Sequence, residues 1–315
     1  MKELIIITTI ITLITISILI SITYYLFHFC FNPLTEKKLK KFNARHNPNT
    51  QKRLILKEQL LAKNPQVFKI KSKKNSTLVA YYFKQRENNK KLVILSHGWR
   101  SDALRDLCSY GEFYFNHPEF DILVINHEGH FPSEGKYICF GITDGENIKL
   151  WIDYINNELS NQYDIYLHGV SMGASSCLYA CKHNLPKNVK AIVADCGFVS
   201  GYSQLKYLLN RKYYVLSFPA LPFVNGIVKH RLKIDIRKDI TYDAMNKDNI
   251  PILFIHGDKD DFVPTYMSEI NYDKYNGPKE LIIVEGAKHS RSYIIDKEKY
   301  ESSILRFYEK YDTFS

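Results

Sequence analysis

The chain has 315 residues, 45% hydrophobic and 24% charged, a globular composition that excludes intrinsic disorder and fibrous repeats. Its six cysteines form no CxxC pair and no regular spacing, which excludes a disulfide framework and a structural zinc site. The net charge of +10 belongs to the N-terminal part: residues 1–91 hold 18 Lys and Arg against 4 Asp and Glu, and the rest is slightly acidic. With no recognition-helix, RRM or zinc-finger pattern beside it, this charge reads as a membrane-proximal solvated face, and no nucleic acid partner is expected.

From Leu4 to Thr35 there is no Asp, Glu, Lys or Arg, and Leu4–Ile22 is mostly Ile, Leu and Thr. About 20 helical residues cross a hydrocarbon core of ~30 Å, so this segment is long enough to span. Its β-branched residues are poor helix formers in water, but lipid offers backbone groups no other partner and enforces the helix. Tyr24, Tyr25, Phe27, Phe29 and Phe31 then suit one membrane interface. The apolar run exceeds a usual signal h-region, no small-x-small site precedes Cys30, and Phe29 stands where a lipoprotein signal needs a small residue. Residues 1–35 are therefore read as an uncleaved single-pass anchor. Lys37, Lys38, Lys40, Lys41 and Arg45 outweigh Lys2, which by the positive-inside rule points the following domain to the cytoplasm, but the chain is Lys-rich throughout and the side of the membrane stays open.

Residues 36–64 read as a basic amphipathic connector with Leu39, Phe42, Leu54, Leu56, Leu60 and Leu61 as apolar points and a break at Asn47-Pro48-Asn49. Attachment to anionic headgroups and packing on the following domain both fit it. Residues 65–315 follow as one domain. Val67–Lys71 and Leu78–Phe83 predict a strand pair. Uncharged runs at Leu92–Leu95, Ile122–Ile125, Ile165–Leu167, Ala191–Ala194, Ile252–Ile255 and Leu281–Val284 then predict strands buried on both faces, spaced for crossover helices. Helix starts are expected near Asp102, Asp144, Met172, Tyr202, Thr265 and Asp296. The pattern predicts an α/β fold, a mostly parallel sheet with an antiparallel start. Residues 197–249 exceed one crossover and read as an inserted cap whose Phe218-Pro219-Ala220-Leu221-Pro222-Phe223 run suits an apolar pocket or a packed helix pair equally.

Polar clusters fall where such sheets collect reactive groups, at the carboxyl ends of strands. Ser96-His97-Gly98-Trp99 follows one, His168-Gly169-Val170-Ser171-Met172-Gly173 another, and His256-Gly257-Asp258-Lys259-Asp260-Asp261 a third. Gly169 to Gly173 is a GxSxG between strand and helix, the context that puts a serine on a sharp turn. Such a serine needs a histidine base, and the base a carboxylate to fix its tautomer. His289, in the loop after Leu281–Val284, fits the base; Asp260 fits the acid, with Asp258 and Asp261 as competitors. His97 and His256 read as loop braces, His168 as buried by the elbow, His117, His183 and His230 as surface residues, and His127 and His130 as lying in a loop bordering the pocket. An oxyanion needs backbone donors, and the N–H groups of Met172 and Trp99 are placed to serve.

These residues resemble the α/β-hydrolase superfamily, in particular bacterial membrane-anchored hydrolases similar to the serine aminopeptidase and dienelactone-hydrolase-like groups. The resemblance spans about residues 67–310 and rests on the HGW of His97-Gly98-Trp99, the Gly129-His130…Ser133-Glu134-Gly135 loop, GVSMG, HGDKDDFVP and the AKH before Ser290. It implies that Gly257, Asp260, Val263 and Pro264 form a G-x-x-D-x-x-V-P pattern whose aspartate is the triad acid, favouring Asp260. Asn126-His127-Glu128 departs from the D-x-R of many relatives at positions that brace loops, which puts substrate preference in doubt.

The expected activity is hydrolysis of a carboxylic ester with an apolar acyl part, through an acyl-enzyme on Ser171. Two alternatives keep the scaffold: an aminopeptidase-like enzyme or acyltransferase with the same triad, for which Glu128 or Glu134 would hold a charged N-terminus, and a non-catalytic membrane-tethered binding module. No nucleotide, metal-ligand or haem motif appears, so no cofactor is expected. The expected partners are a small-molecule ester or peptide substrate and the lipid membrane.

Overall fold

The computed structural model describes residues 1–35, 38, 41, 50–159, 163–214 and 216–312. Helix α1 (Lys2–Phe31) opens the chain, long and apolar enough to cross a membrane, properties it shares with signal sequences. Of the connector, Leu39, Phe42 and Asn47-Pro48-Asn49 lie outside the described residues, as does the side chain of Leu54. Its last part is helix α2 (Thr50–Ala62), which packs against α3 (Ala103–Asn116), buries Leu60 and pairs Lys57 with Asp102 at 3.1 Å. The packing use of the connector is thus realised in this stretch.

Among the described residues, eight strands form one sheet: β1 (Gln66–Lys71), β2 (Thr77–Phe83), β3 (Lys91–Ser96), β4 (Phe120–Ile125), β5 (Asp164–Val170), β6 (Val189–Asp195), β7 (Ile252–Gly257) and β8 (Lys279–Val284). Their spatial order is β1-β2-β4-β3-β5-β6-β7-β8, with β2 antiparallel to both β1 and β4 and β3 to β8 parallel. Because successive strand residues point to opposite faces, the uncharged runs fill two cores at once. Val93, Leu95, Ile122 and Val124 face α3 and α9 (Lys297–Tyr311), whereas Leu92, Ile94, Leu123 and Ile125 face α4 (Ile142–Glu158) and α5 (Met172–Ala180). Each fully buried Leu, Ile or Val side chain contributes roughly 1.5–3 kcal/mol relative to exposure.

The expected helix starts hold within two residues. Asp102 caps α3 by accepting from the Arg105 N–H at 3.1 Å, and Asp296 caps α9 by accepting from the Lys299 N–H at 3.1 Å. Between β6 and β7 lies the helical insertion: α6 (Gly201–Tyr207), a wider turn at Leu208–Lys212, α7 (Ala220–Leu232) and α8 (Thr241–Met245). A third core forms beneath it from Leu205, Leu221, Val224, Val228 and Leu232, and the end of α1 is built into it through Phe27, Cys30 and Phe31. The chain order reverses direction across the sheet at β3 and β5, the switch point where a ligand crevice is expected.

Candidate active site

Strand β5 delivers Ser171 to that crevice. Its backbone sits at φ 58°, a left-handed conformation uncommon for a residue with a side chain, and it turns directly into α5. The turn needs glycine beside it: a Cβ on Gly173 would lie 2.0 Å from the Ser96 carbonyl oxygen, so only a bare backbone lets α5 start against β3.

The loops after β7 and β8 bring the other partners. His289 Nε2 lies 3.0 Å from Ser171 Oγ, and His289 Nδ1 lies 2.7 Å from Asp260 Oδ2. Oδ1 of Asp260 accepts the backbone N–H groups of Phe262 and Val263, each at 2.9 Å. His256 adds a third anchor, its Nε2 3.2 Å from Asp260 Oδ2 and 2.9 Å from the Val263 carbonyl, while Nδ1 meets Ser268 Oγ at 2.7 Å. Both neighbours of Nε2 are acceptors, so that nitrogen carries the proton and Nδ1 accepts from Ser268. Burial by itself raises a carboxyl pKa, but the hydrogen bonds that His256 and His289 donate outweigh it and hold Asp260 far below the usual carboxylate range.

The competing aspartates are engaged elsewhere. Asp258 accepts the Gly286 N–H at 2.6 Å and ties the β7 and β8 loops together, and exposed Asp261 pairs with Lys212 at 3.1 Å. Gly98 lies against the serine, since a Cβ there would be 3.6 Å from Ser171 Cβ, which brings the turn carrying Trp99 to Ser171. Met172 opens α5, so its N–H has no acceptor within the helix. Asp106 accepts the Gly98 N–H at 2.8 Å and fixes that turn.

A cavity of about 430 Å³ covers these groups, lined by Ser171 and His289 and walled by Trp99, Phe140, Phe198, Leu205, Phe262 and residues of α1, Phe29 and Cys30. Its size and apolar walls suit a small organic ligand. Among the expected pocket neighbours, His127 and His130 are placed differently: both are buried and do not line the cavity. They cluster with His97 beneath the Gly98–Ser101 turn, His130 Nε2 accepting the Arg100 N–H at 3.1 Å and His97 Nε2 accepting that of His127 at 3.1 Å. Burial, first of all, pushes all three imidazoles down, which suits the accepting Nε2 atoms of His97 and His130. Asn126 braces the same region, its Oδ1 accepting the Ala103 N–H at 3.0 Å.

Two features escaped the sequence reading. Asp195, at the carboxyl end of β6, lines the cavity, accepts the Tyr300 hydroxyl at 3.0 Å, leaves Oδ1 unpaired, and has its pKa pushed up by burial to about 6. The other is the α1 wall. Trp99 Nε1 donates to the Cys30 carbonyl at 3.1 Å, Arg100 donates to the Phe29 carbonyl, and Ile138 N–H donates to the Phe31 carbonyl at 2.7 Å. The first has a strand-end position as its signal. The second had one in length: 32 uncharged residues exceed the about 20 that a bilayer needs.

No family model matches the chain. It is 28% identical over 215 residues to the uncharacterized protein YqkD of Bacillus subtilis (strain 168), covering 68% of this chain and 70% of that protein. Among solved structures it is similar to the esterase Pf2001 of Pyrococcus furiosus (19% identity, 78% of this chain and 90% of that one, TM-score 0.60). It is likewise similar to Est1E of Butyrivibrio proteoclasticus bound to ferulic acid (21% identity, 78% and 98%, TM-score 0.60) and to the α/β hydrolase GrgF of Penicillium sp. sh18 (15% identity, 78% and 98%, TM-score 0.61). With the strand order above, these similarities show the α/β-hydrolase fold.

Proposed function

We propose that the chain is a serine hydrolase, anchored by α1, that cleaves a carboxylic ester through an acyl-enzyme. The observation that carries this reading is the continuous chain Ser171 Oγ, His289, Asp260, at 3.0 and 2.7 Å. His289 Nε2 takes the serine proton as Oγ attacks the carbonyl carbon, and Asp260 holds the Nδ1–H tautomer and stabilises the imidazolium. The oxyanion receives the Trp99 and Met172 N–H groups, backbone donors fixed in advance. Collapse expels the alcohol, which takes the proton from Nε2. Water, deprotonated by the same nitrogen, then releases the acid and regenerates Ser171.

The fold resemblance to esterases supports the reaction class, and the apolar walls support an acyl part on the substrate. The domain plan follows: residues 1–35 anchor, 36–64 connect, and 65–315 catalyse, with the cap at about 197–249. The acids expected to serve the aminopeptidase-like alternative, Glu128 and Glu134, lie outside the cavity, Glu128 bonded to Ser76 Oγ at 2.6 Å and Glu134 to the Thr77 N–H at 2.7 Å, and the carboxylates that line it are Asp106 and Asp195. An acyltransferase would differ only in the acceptor that replaces water. The binding-module alternative has no use for a serine held at φ 58° against a histidine base.

Labelling of the solubilised full chain with a fluorophosphonate tests the reading without knowledge of the substrate. Wild type reacts, and Ser171→Ala and His289→Ala do not. Failure of folded wild type to react refutes it.

A further inference from the structure

The end of α1 is part of the cavity, and the distance between that wall and the hydrocarbon is set by helix geometry. None of residues 4–22 is buried, and these 19 residues measure about 28 Å at ~1.5 Å each, one hydrocarbon thickness. Burial begins at Thr23, and Phe27 and Phe31 are fully enclosed by the domain. No free linker separates the two parts. From Ile22 to the wall residue Phe29 is seven residues, about 10 Å along the axis, while the headgroup layer beyond the hydrocarbon is about 5–8 Å deep on each side.

A second observation lies in the cap. Tyr213 lines the cavity and is 58% exposed, and after it Tyr214, Leu216, Phe218 and Phe223 are 87%, 82%, 75% and 56% exposed. So large an apolar display is costly in water and marks a contact surface. The segment runs into α7, which packs directly on α1, so the display is tied to the anchor at one end and to the cavity at the other. Ile294, another cavity residue, is 53% exposed, with Ile295 beside it at 54%.

We infer that the cavity takes its substrate from the lipid leaflet: residues 213, 214 and 216–223 bed into the membrane surface around α1, and the substrate is an acyl ester resident in the bilayer. This rests on the hydrolase reading above. It also gives α1 a role that a cleaved leader does not have, since removing Phe29 and Cys30 would open the cavity and strip the acceptors of Trp99 and Arg100.

The test uses the full chain in phosphatidylcholine vesicles containing monooleoylglycerol, with soluble p-nitrophenyl acetate as the second substrate of the same preparation. Tyr214→Glu with Leu216→Glu is expected to lower monooleoylglycerol turnover by about tenfold or more while the soluble ester changes by less than about twofold, and Tyr214→Trp with Leu216→Trp restores the former. Fluorophosphonate labelling of each variant verifies that its site is folded. Equal loss of both activities, or loss of neither, overturns the leaflet inference and leaves the hydrolase reading standing. Absence of labelling and of turnover in wild type overturns both.

Discussion

Gly257 and Ala287 touch backbone to backbone: a Cβ on Gly257 would lie 2.1 Å from the Ala287 carbonyl oxygen. Asp260 follows the first and His289 the second, so this contact sets the span between the two side chains. Gly257→Ala is expected to force the loops apart and to slow fluorophosphonate labelling by about 10²-fold, the cost of roughly 1 Å of misplacement at a reacting group. Labelling at the wild-type rate would show that the loops are positioned by something else.

The three aspartates of the β7 loop separate by their contacts. Asp260→Asn removes the charge facing His289 Nδ1 and is expected to lower ester turnover by about 10³–10⁴-fold, because the amide favours the wrong imidazole tautomer. Asp261→Asn, at an exposed ion pair, is expected to change turnover by less than about twofold. Steady-state rates of the two purified variants make the comparison, and similar losses in both would remove Asp260 from its role.

The strand positions, the burial of the sheet on both faces and the candidate triad residues are legible in the chain because each rests on a local signal. An uncharged run of four to six residues has few places to go other than a two-faced sheet, and the GxSxG glycines are required by contacts that no side chain tolerates. The docking of α1 was not legible, because Phe27 and Phe31 satisfy a membrane interface as readily as a protein core. Only the position of Trp99, Phe140 and α7 in space distinguishes the two. His127 and His130 were misplaced for a related reason: sequence puts them on the loop after β4 but does not show which side of the Gly98–Ser101 turn that loop passes.

Asp195 is a buried acid with one unpaired oxygen, and its pKa is raised to about 6 by desolvation. A raised carboxyl favours folding below the unfolded value of about 4, and the benefit is lost as pH rises through the folded one. At pH 8 the ionised group therefore costs the fold about 1–3 kcal/mol. Asp195→Asn keeps an acceptor for Tyr300 and is expected to raise the denaturation midpoint at pH 8 but not at pH 4. A midpoint lowered at pH 8 would mean that the charge is stabilised by a partner.

His168 gives the opposite pH dependence. It is enclosed with its nitrogens 2.7 and 2.9 Å from the Tyr114 and Tyr300 hydroxyls, and burial depresses its pKa to about 3. A depressed histidine costs nothing above the unfolded value of about 6.5, and below it the unfolded chain binds the proton that the folded chain refuses. Stability then falls by about 1.4 kcal/mol per pH unit until the folded value is reached. His168→Gln, measured by denaturant titration between pH 7 and 5, is expected to flatten the slope by about one proton, and an unchanged slope would assign the acid sensitivity to other groups.

Phe31 joins the energetics of α1 to those of the domain. It is fully buried, stacks on Phe27 with centroids 5.4 Å apart, and contacts Phe140 at 5.1 Å. If α1 were only a tether, Phe31→Ala would leave the unfolding of the domain unchanged. Because the ring belongs to the core under the cap, the substitution is expected to cost about 3–5 kcal/mol, the range for emptying a buried aromatic site. Thermal unfolding in detergent distinguishes the two outcomes. A second readout follows from the geometry: the Phe31 carbonyl accepts from Ile138, and the neighbouring Phe29 and Cys30 wall the cavity, so the loosened helix end slows fluorophosphonate labelling as well. Loss of stability without loss of labelling would mean that the α1 wall is dispensable to the site.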